Sequence, residues 1–289
     1  RESPVLHSRI RKEWLNRATS SLIGEAADLT YPYSHLGTGR DALAKLVSAS
    51  VNEEIKTAPS VVIIGQGALT GEDGAAVLGN AMALAEAYGS KLLVLHTAAS
   101  RGGALDLGCT SVGGVADVLG AEVILNLGAD EIDVPAGPFV VYQGSHGDRG
   151  AHRADVILPA AAWPEESGIF VNTEGRPQMA NRAGFPPGEA RENWAILRAL
   201  SPALGQQLPF DSMAALRASM VAEFPHLGRI DKVPENPWTP VAVGDMSGAG
   251  DLRSAVVSHF LSNPIQRASA VMGELTRLAE SRVQPIAAE

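Results

Sequence analysis

Short runs of apolar residues recur along the chain and are separated by stretches long enough to form helices. An apolar run without polar alternation predicts a strand that is buried on both faces of its sheet. Helix-length segments between such strands predict βαβ units, so the pattern favours an α/β fold with a mainly parallel sheet flanked by helices. The predicted strands are Val61–Ile64, Leu92–Leu95, Val123–Leu125, Phe139–Tyr142 and Val156–Leu158.

Helical patterns fill the intervals between these strands and continue after them. The last helix of this part begins near Glu189 and Glu192, whose negative charges favour the N-terminal end of a helix dipole. Its apolar positions lie on one face, which predicts packing against the sheet. The predicted helices cover residues 40–49, 72–88, 112–119 and 190–201.

The pattern changes after residue 205, and we therefore divide the chain into an α/β domain, 1–205, and a C-terminal extension, 206–289. The extension begins with a predicted helix over 211–223, with Asp211 as its N-cap. It ends with an amphipathic helix over 265–282 and a short terminal segment, Pro285 to Glu289, that is predicted to fray. Residues 225–250 between the helices predict an irregular arm that wraps over a surface, because they contain Pro225, Pro234, Pro237 and Pro240.

Composition and charge narrow the class of protein. The chain has 289 residues, a net charge of −9, and 45% hydrophobic but only 5% aromatic residues, so small aliphatic side chains fill the predicted core. The negative charge argues against nucleic acid as a partner. No apolar run is long enough to span a bilayer, and the N-terminus does not resemble a signal peptide. The single cysteine, Cys109, excludes an internal disulfide or a cysteine-ligated iron–sulfur cluster within the chain.

Several short motifs have the residue types of catalytic or binding sites, and each also has a structural interpretation. Gly65-Gln66-Gly67 follows a strand as a phosphate-binding turn would, but it lacks the third glycine of that motif. A tight turn between strand and helix is the alternative. Ser145, His146 and Asp148 supply the residue types of a hydrolase triad, but neighbours in sequence rarely converge on one substrate atom. The alternative is that this loop once contacted a cofactor and no longer binds one.

Further candidates involve metal ligands and acid–base chemistry. His96, His146 and His152 do not have a common metal-ligand spacing, and structural hydrogen bonds are the alternative. Glu165 and Glu166 are adjacent acids, and adjacent carboxylates on a helix point apart, so a solvated helix start is the alternative to an acid–base pair. Cys109 is expected in a loop after a helix.

One loop is the main candidate for a binding site. It follows the last predicted strand, is rich in turn-forming and polar groups, and contains an arginine whose planar fork suits a carboxylate or phosphate. A loop that binds a phosphate and a self-satisfied structural loop both remain open from the residues alone. The loop consists of Asn172, Thr173, Glu174, Gly175 and Arg176.

This loop and the preceding strand, in the run ADVILPAA to NTEGR, resemble the molybdopterin oxidoreductase superfamily. Together with GEAADLTY near residue 24, HLGTG near residue 35 and YQGSHGD near residue 142, they resemble the C-terminal part of the large iron–sulfur subunit, of the 75-kDa type, of respiratory complex I. The run GDRGAHRADVILP is most similar to alphaproteobacterial and mitochondrial versions. The resemblance implies a molybdopterin oxidoreductase-like or formate dehydrogenase-like fold that has lost its pterin, which favours the structural interpretation of the loop.

The same resemblance implies a function and partners. The complex transfers electrons from NADH through FMN and iron–sulfur clusters to quinone, coupled to proton translocation. The full subunit carries [4Fe-4S] and [2Fe-2S] clusters on N-terminal cysteines that this sequence lacks, so no cofactor, metal or catalytic residue is expected here. The expected partners are the other hydrophilic-arm subunits, including those that bind NADH and FMN and those at the quinone site. The expected location is the cytoplasmic face of the bacterial inner membrane or, alternatively, the matrix side of the mitochondrial one.

Two other hypotheses remain open at this point. The chain is alternatively a fragment of an active molybdenum oxidoreductase such as formate dehydrogenase, which shares the ADVILP and NTEGR features. The other hypothesis is an assembly module that acts alone, an idea prompted by the predicted wrapping arm.

Overall fold

The computed structural model describes residues 3–49, 58–111, 113–235, 238–248, 250–256 and 258–281. The chain divides into two compact units, and each of them contains residues from both sides of position 205. Unit 1 comprises residues 1–99 and 235–259, and unit 2 comprises residues 100–234 and 260–289. The division after residue 205 stays a prediction.

Within the described residues, unit 1 contains two small parallel sheets and three α-helices. Strands β1 and β2 form one sheet, and strands β3 and β4 form the other, with Val61 opposite Lys91 and Ile64 opposite Val94. Helix α3 connects β3 to β4, as in a βαβ unit, and the core contains Leu43, Val77 and Leu84. The elements are α1 (Pro4–Leu15), β1 (Ser21–Ile23), β2 (Ser34–Gly37), α2 (Arg40–Ser48), β3 (Val61–Ile64), α3 (Gly74–Ala87) and β4 (Lys91–Val94).

Unit 2 contains a parallel sheet of three strands in the order β5-β6-β7, and a separate antiparallel pair, β8-β9. Its strands are β5 (Val123–Leu127), β6 (Phe139–Gly144), β7 (Val156–Pro159), β8 (Gly168–Val171) and β9 (Pro177–Ala180). Its helices are α4 (Arg101–Asp106), α5 (Val115–Leu119), α6 (Arg149–Arg153), α7 (Asn193–Leu200), α8 (Met213–Glu223), α9 (Pro264–Arg267) and α10 (Ala270–Ser281).

The predicted α/β class and the five predicted strands are confirmed, although the parallel strands belong to three sheets rather than one. Helix α7 starts at Asn193, with Glu192 at the N-cap position rather than in the first turn. Residues 112, 237, 282 and 285–289, which the sequence assigned to a helix, the arm, the last helix and the terminus, lie outside the described residues.

Two predictions about helix ends are wrong for the same physical reason, a serine that caps a helix. Asp211 is not the N-cap of α8; the side chain of Ser212 takes that role and accepts a hydrogen bond from the amide of Ala215. The predicted helix over 265–282 is two helices, α9 and α10, because the hydroxyl of Ser269 accepts a hydrogen bond from the amide of Met272 and starts a new helix there.

The expectation that the strands are buried on both faces is wrong for the three-stranded sheet. Alternate residues of β5 are exposed, and so are Phe139 on β6 and Val156 on β7, which lie on the same face, whereas Gln143, the partner of Leu127, is buried. Helix α6, between β6 and β7, lies against Tyr142 on the other face, and the connection from β5 to β6 contains no helix. Among the described residues, much of one face of the sheet therefore lacks a helical layer, although Gln143 on that face is buried and donates to Asn193 at the start of α7. We call its exposed residues, Val123, Leu125, Leu127, Phe139 and Val156, the open sheet face.

Candidate functional site

In parallel α/β sheets, ligands bind at the carboxyl ends of the strands, and in unit 2 this edge carries three carboxylates. Asp130 and Glu131 follow β5, and Asp148 follows β6. Arg267 at the end of α9 contacts all three: its Nη1 atom lies 2.8 Å from Glu131, its Nη2 atom lies 3.4 Å from Asp130, and its Nε atom donates to Asp148. The guanidinium thus occupies the position where the fold would accept a ligand.

The carboxylate of Asp130 is the most buried member of this cluster, with only 1% of its side chain exposed. It accepts hydrogen bonds from the hydroxyl of Tyr142, at 3.0 Å, and from the amide of Gly150, at 3.2 Å. Burial, followed by this hydrogen bond to Asp130, raises the pKa of Tyr142 well above its ordinary value. The phenol therefore acts as a fixed donor at neutral pH.

Asp148 is bound from two sides. Burial alone would raise the pKa of its carboxyl, but hydrogen bonds from Arg267 and from the amide of Arg149 outweigh this and hold the pKa below its ordinary value. An open cleft of about 500 Å³ adjoins the carboxyl. Asp148, Arg149 and His152 line this cleft together with Ile132 and Val134, so it presents charges of both signs beside a small apolar surface.

The structure brings together two of the three residues with triad character. The hydroxyl of Ser145 lies 2.9 Å from Nδ1 of His146. The carboxylate of Asp148, however, is engaged by Arg267 and does not orient the imidazole, which a triad requires. The Ser145–His146 pair is also exposed to solvent, so the arrangement does not resemble an activated nucleophile.

The loop Asn172-Thr173-Glu174-Gly175-Arg176 is closed by its own hydrogen bonds. The side-chain oxygen of Asn172 accepts from the amides of Glu174, at 2.9 Å, and Arg176, at 3.0 Å. Arg176 lies 3.1 Å from the carboxylate of Glu174 and donates to the carbonyl of Asp231 at 2.7 Å. Gly175 adopts a positive φ of 79° that completes the turn.

The two adjacent glutamates are not a solvated pair. Glu165 accepts a hydrogen bond from the amide of Ala162, at 2.9 Å. Glu166 accepts from both the amide and the side chain of Asn193, at 3.0 and 2.8 Å, at the start of α7. Each carboxylate therefore satisfies backbone donors near a helix start, and the two do not face each other as an acid–base pair would.

In unit 1, the turn Gly65-Gln66-Gly67 opens a single turn of 3₁₀ helix rather than a phosphate-binding loop. A Cβ on Gly67 would overlap the carbonyl oxygen of Arg253, so this glycine permits the close approach of another chain segment. Nearby, Arg40 binds Asp73 through two hydrogen bonds of 2.5 and 2.9 Å. These contacts favour the structural interpretation of the motif.

The remaining candidates show no arrangement for metal chemistry. Across the part of the chain that the structure describes, no group of three histidine, cysteine, aspartate or glutamate side chains is placed to hold a metal ion. His96 contacts Gln66 at 3.2 Å. Cys109 is an exposed free thiol after α4, in the loop that the sequence predicted.

The sequence analysis missed the residues of the two buried aspartate–arginine pairs, namely Arg40, Asp73, Asp130 and Arg267. The two aspartates had a usable signal, because Asp130 closely follows a strand and Asp73 immediately precedes a helix. The arginines had none, since Arg267 lies 137 positions from Asp130 and no local pattern connects such distant residues.

A pterin dinucleotide is anionic, and the described residues at these edges do not suit it. The carboxylates of Asp130, Glu131 and Asp148 would repel a phosphate, and the one guanidinium among them is already bound to all three. Arg176 is bound to Glu174 and to a backbone carbonyl. Arg267 and Arg176 are thus both engaged by groups within the protein.

Within the described residues, no helix is both long and apolar enough to cross a membrane.

Comparisons with known proteins agree on one family. The chain is 39% identical over 277 residues to the mitochondrial NADH-ubiquinone oxidoreductase 78 kDa subunit of Candida albicans, covering 91% of this chain and 38% of that protein. It is 39% identical over 243 residues to the subunit of the same name in Neurospora crassa, covering 80% and 33%. It is 34% identical over 285 residues to an NADH-quinone oxidoreductase subunit of Rickettsia bellii, covering 93% and 41%.

The chain therefore spans about two fifths or less of the length of these relatives. The profile of the molybdopterin oxidoreductase family matches residues 1–203, which is more than half of the chain. The chain belongs to the molybdopterin oxidoreductase family.

Proposed function

We propose that this chain is a structural, non-catalytic segment of the large peripheral-arm subunit of respiratory complex I. The relatives named above are subunits of NADH-ubiquinone or NADH-quinone oxidoreductase, and their similarity covers 80–93% of the chain. Electron transfer from NADH through FMN and iron–sulfur clusters to quinone, coupled to proton translocation, would belong to the whole complex. The clusters would be held by cysteines elsewhere in the subunit.

The observation that carries the structural part of this proposal is the placement of Arg267. Its guanidinium contacts three carboxylates at the carboxyl edge of β5 and β6 and offsets part of their negative charge. A family member that bound a pterin there would need this edge open and positively charged. In our proposal the fold is retained for its shape, and the C-terminal helix pair stabilises the former ligand edge.

The proposed partners are other hydrophilic-arm subunits, including those that bind NADH and FMN and those at the quinone site. The open sheet face supports a contact role, because contiguous apolar surface of this kind marks interaction sites. Helix α10 adds a second apolar surface, since Val271, Leu275 and Leu278 recur at helical spacing and are 66%, 37% and 42% exposed. The complex would lie on the cytoplasmic face of a bacterial inner membrane or on the mitochondrial matrix side.

The test uses the complete complex purified with its native subunit. Metal analysis and pterin fluorescence after denaturation should give no molybdenum, tungsten or pterin that is stoichiometric with the subunit, while NADH:quinone activity is intact. One molybdenum or tungsten per chain, or a released pterin, would overturn the non-catalytic assignment. Purification of the chain from native membranes as a free monomer would instead support the assembly module. The relatives do not favour a formate dehydrogenase fragment.

A further inference from the structure

The end of the irregular arm and the residues that follow it belong to unit 1, where they lie along residues 1–99 and are held mainly through their backbone. We call residues 241–248 and 250–255 the strap. The amide of Leu252 donates to the carbonyl of Thr38 at 2.9 Å, and the carbonyl of Leu252 accepts from the amide of Glu25 at 2.9 Å. Leu252 is thus hydrogen-bonded through both its amide and its carbonyl, as a residue paired with a neighbouring β-strand is.

Side chains of unit 1 bind three more backbone groups of the strap. The carboxylate of Asp73 accepts from the amide of Gly248 at 3.0 Å. Arg40, which is paired with Asp73, donates to the carbonyl of Gly250 at 3.1 Å. The side-chain amide of Asn80, which is only 5% exposed, donates to the carbonyl of Gly244 at 2.9 Å. Buried polar side chains of unit 1 are thus positioned to form hydrogen bonds with the main chain of an extended segment.

Three glycines of unit 1 make room for the strap. A Cβ on Gly67 would overlap the carbonyl oxygen of Arg253, and a Cβ on Gly79 would overlap the carbonyl oxygen of Ala242. Gly24 has a φ of 124° and would place a Cβ 2.9 Å from the carbonyl oxygen of Leu252. At each of these three positions, only glycine allows the backbone of the strap to approach this closely.

The side chains of the strap contribute one clear apolar anchor. Met246 packs against the core of unit 1, whereas Val243 is 60% exposed. Recognition therefore depends on main-chain hydrogen bonds and steric fit, together with the hydrogen bond from Thr38 to Asp251 and one partly buried apolar side chain. This is the chemistry of sites that bind extended peptides.

We propose that unit 1 contains a binding groove for an extended polypeptide, formed by Gly24, Thr38, Arg40, Asp73 and Asn80 with the glycines at 67 and 79, and that the strap occupies it in cis. The ligand class is an extended segment that presents backbone groups and one apolar side chain. This inference does not depend on the proposed function. It implies that the groove is formed by unit 1 and will accept the same segment when it is supplied in trans.

The first experiment measures amide hydrogen exchange in the full chain carrying Asn80→Ala or Gly67→Ala. Loss of one hydrogen bond or of the close fit should speed exchange at Leu252 and Gly248 by roughly five- to tenfold. The backbone amides of helix α3 around Val77 should stay protected from exchange. Gly184→Ala is the matched control, because a Cβ there meets nothing within 4 Å. Unchanged exchange in the strap, or equal acceleration in the α3 core, would overturn the proposal.

The second experiment supplies the strap separately. In a full-length variant, residues 241–255 are replaced by a flexible Gly/Ser linker of equal length, and a labelled peptide of the native 241–255 sequence is added. Saturable binding by fluorescence anisotropy is expected for the variant, but not for the unaltered chain, whose groove is occupied. A scrambled peptide should bind at least about tenfold more weakly. Equal binding of both peptides, or no binding to a folded variant, would refute the groove. If the variant does not fold, the exchange experiment decides.

Discussion

At the residue scale, the protein places a buried aspartate beside an arginine in each unit. Asp73 pairs with Arg40 in unit 1, and Asp130 and Asp148 pair with Arg267 in unit 2. Arginine suits this role because its planar fork donates to several acceptors at once and stays charged. A buried pair adds little net stability, but the loss of one partner leaves an uncompensated charge. Each arginine is thus far more important to the fold than its surface counterparts.

We therefore predict that Arg267→Ala lowers the free energy of unfolding by about 3–5 kcal/mol, the usual cost of leaving a buried charge unpaired. Its side chain is 17% exposed, and it faces the 1% exposed carboxylate of Asp130. Urea denaturation followed by circular dichroism measures the change. Arg149→Ala is the matched control, because its pair with Asp133 is 59% and 84% exposed and is worth about 0–1 kcal/mol. Equal effects of the two substitutions would contradict the role assigned to Arg267.

At the element scale, the three-stranded sheet has two faces with different environments. Ile124 and Val140 point to the face that carries helix α6 and are 6% and 0% exposed. Val123 and Phe139, one position earlier on the same strands, point to the open sheet face and are 62% and 48% exposed. The strands carry apolar residues on both faces, which is why the sequence indicated complete burial.

This asymmetry predicts opposite results for two neighbouring substitutions. Ile124→Ala should lower the free energy of unfolding of the chain by about 2–5 kcal/mol, because it empties a packed position. Val123→Ala should change it by no more than about 0.5 kcal/mol. In the assembled complex, Val123→Lys should reduce the yield of intact complex, which native gel electrophoresis would show. Normal assembly of Val123→Lys would argue that the open sheet face is not a contact surface.

The sequence indicated the elements that have a strong, continuous pattern and missed those without one. Strands β3 to β7 were recognised because their residues form uninterrupted apolar runs. Strand β2, Ser34–Gly37, is mixed in polarity and three of its four residues are exposed, so it had no periodic signal. The self-closed loop at 172–176 was recognisable as a turn from its residue types. The contacts at the carboxyl ends of the strands were not recognisable, because they are made by Arg267 and the strap, which are remote in sequence from those strands.

At the scale of the whole molecule, the C-terminal extension contributes to both units. The strap lies along unit 1, and α9 supplies Arg267 to unit 2. In each case a group from the extension covers or neutralises a region near the carboxyl ends of strands, where the family fold would present a ligand site. The extension therefore makes structural contacts in each unit, and conditions that weaken these contacts should lower the stability of both.

Acid is such a condition, and the last prediction concerns the pH dependence of stability. The hydrogen bond from Arg40 holds the pKa of Asp73 below its ordinary value, and Asp148 has a lowered pKa because of its hydrogen bonds from Arg267 and Arg149, although burial opposes this. A carboxyl with a lowered pKa in the folded state contributes stability that is complete above the unfolded-state pKa, about 3.9. That stability is lost as the pH falls further, through the folded-state pKa.

The midpoint of urea unfolding should therefore be nearly constant from neutral pH down to about pH 5 and then fall steeply below about pH 4. Asp73→Asn and Asp148→Asn should each start from a lower midpoint at neutral pH and show a shallower fall, because one titrating contact is already gone. Asp41→Asn provides the comparison: Asp41 also has a lowered pKa, from its hydrogen bond with Lys45, but both side chains are more than two-thirds exposed. Solvent screens that pair, so its removal should leave the acid slope almost unchanged. If all three variants kept the slope of the unaltered chain, acid sensitivity would have to come from carboxylates outside the two arginine clusters.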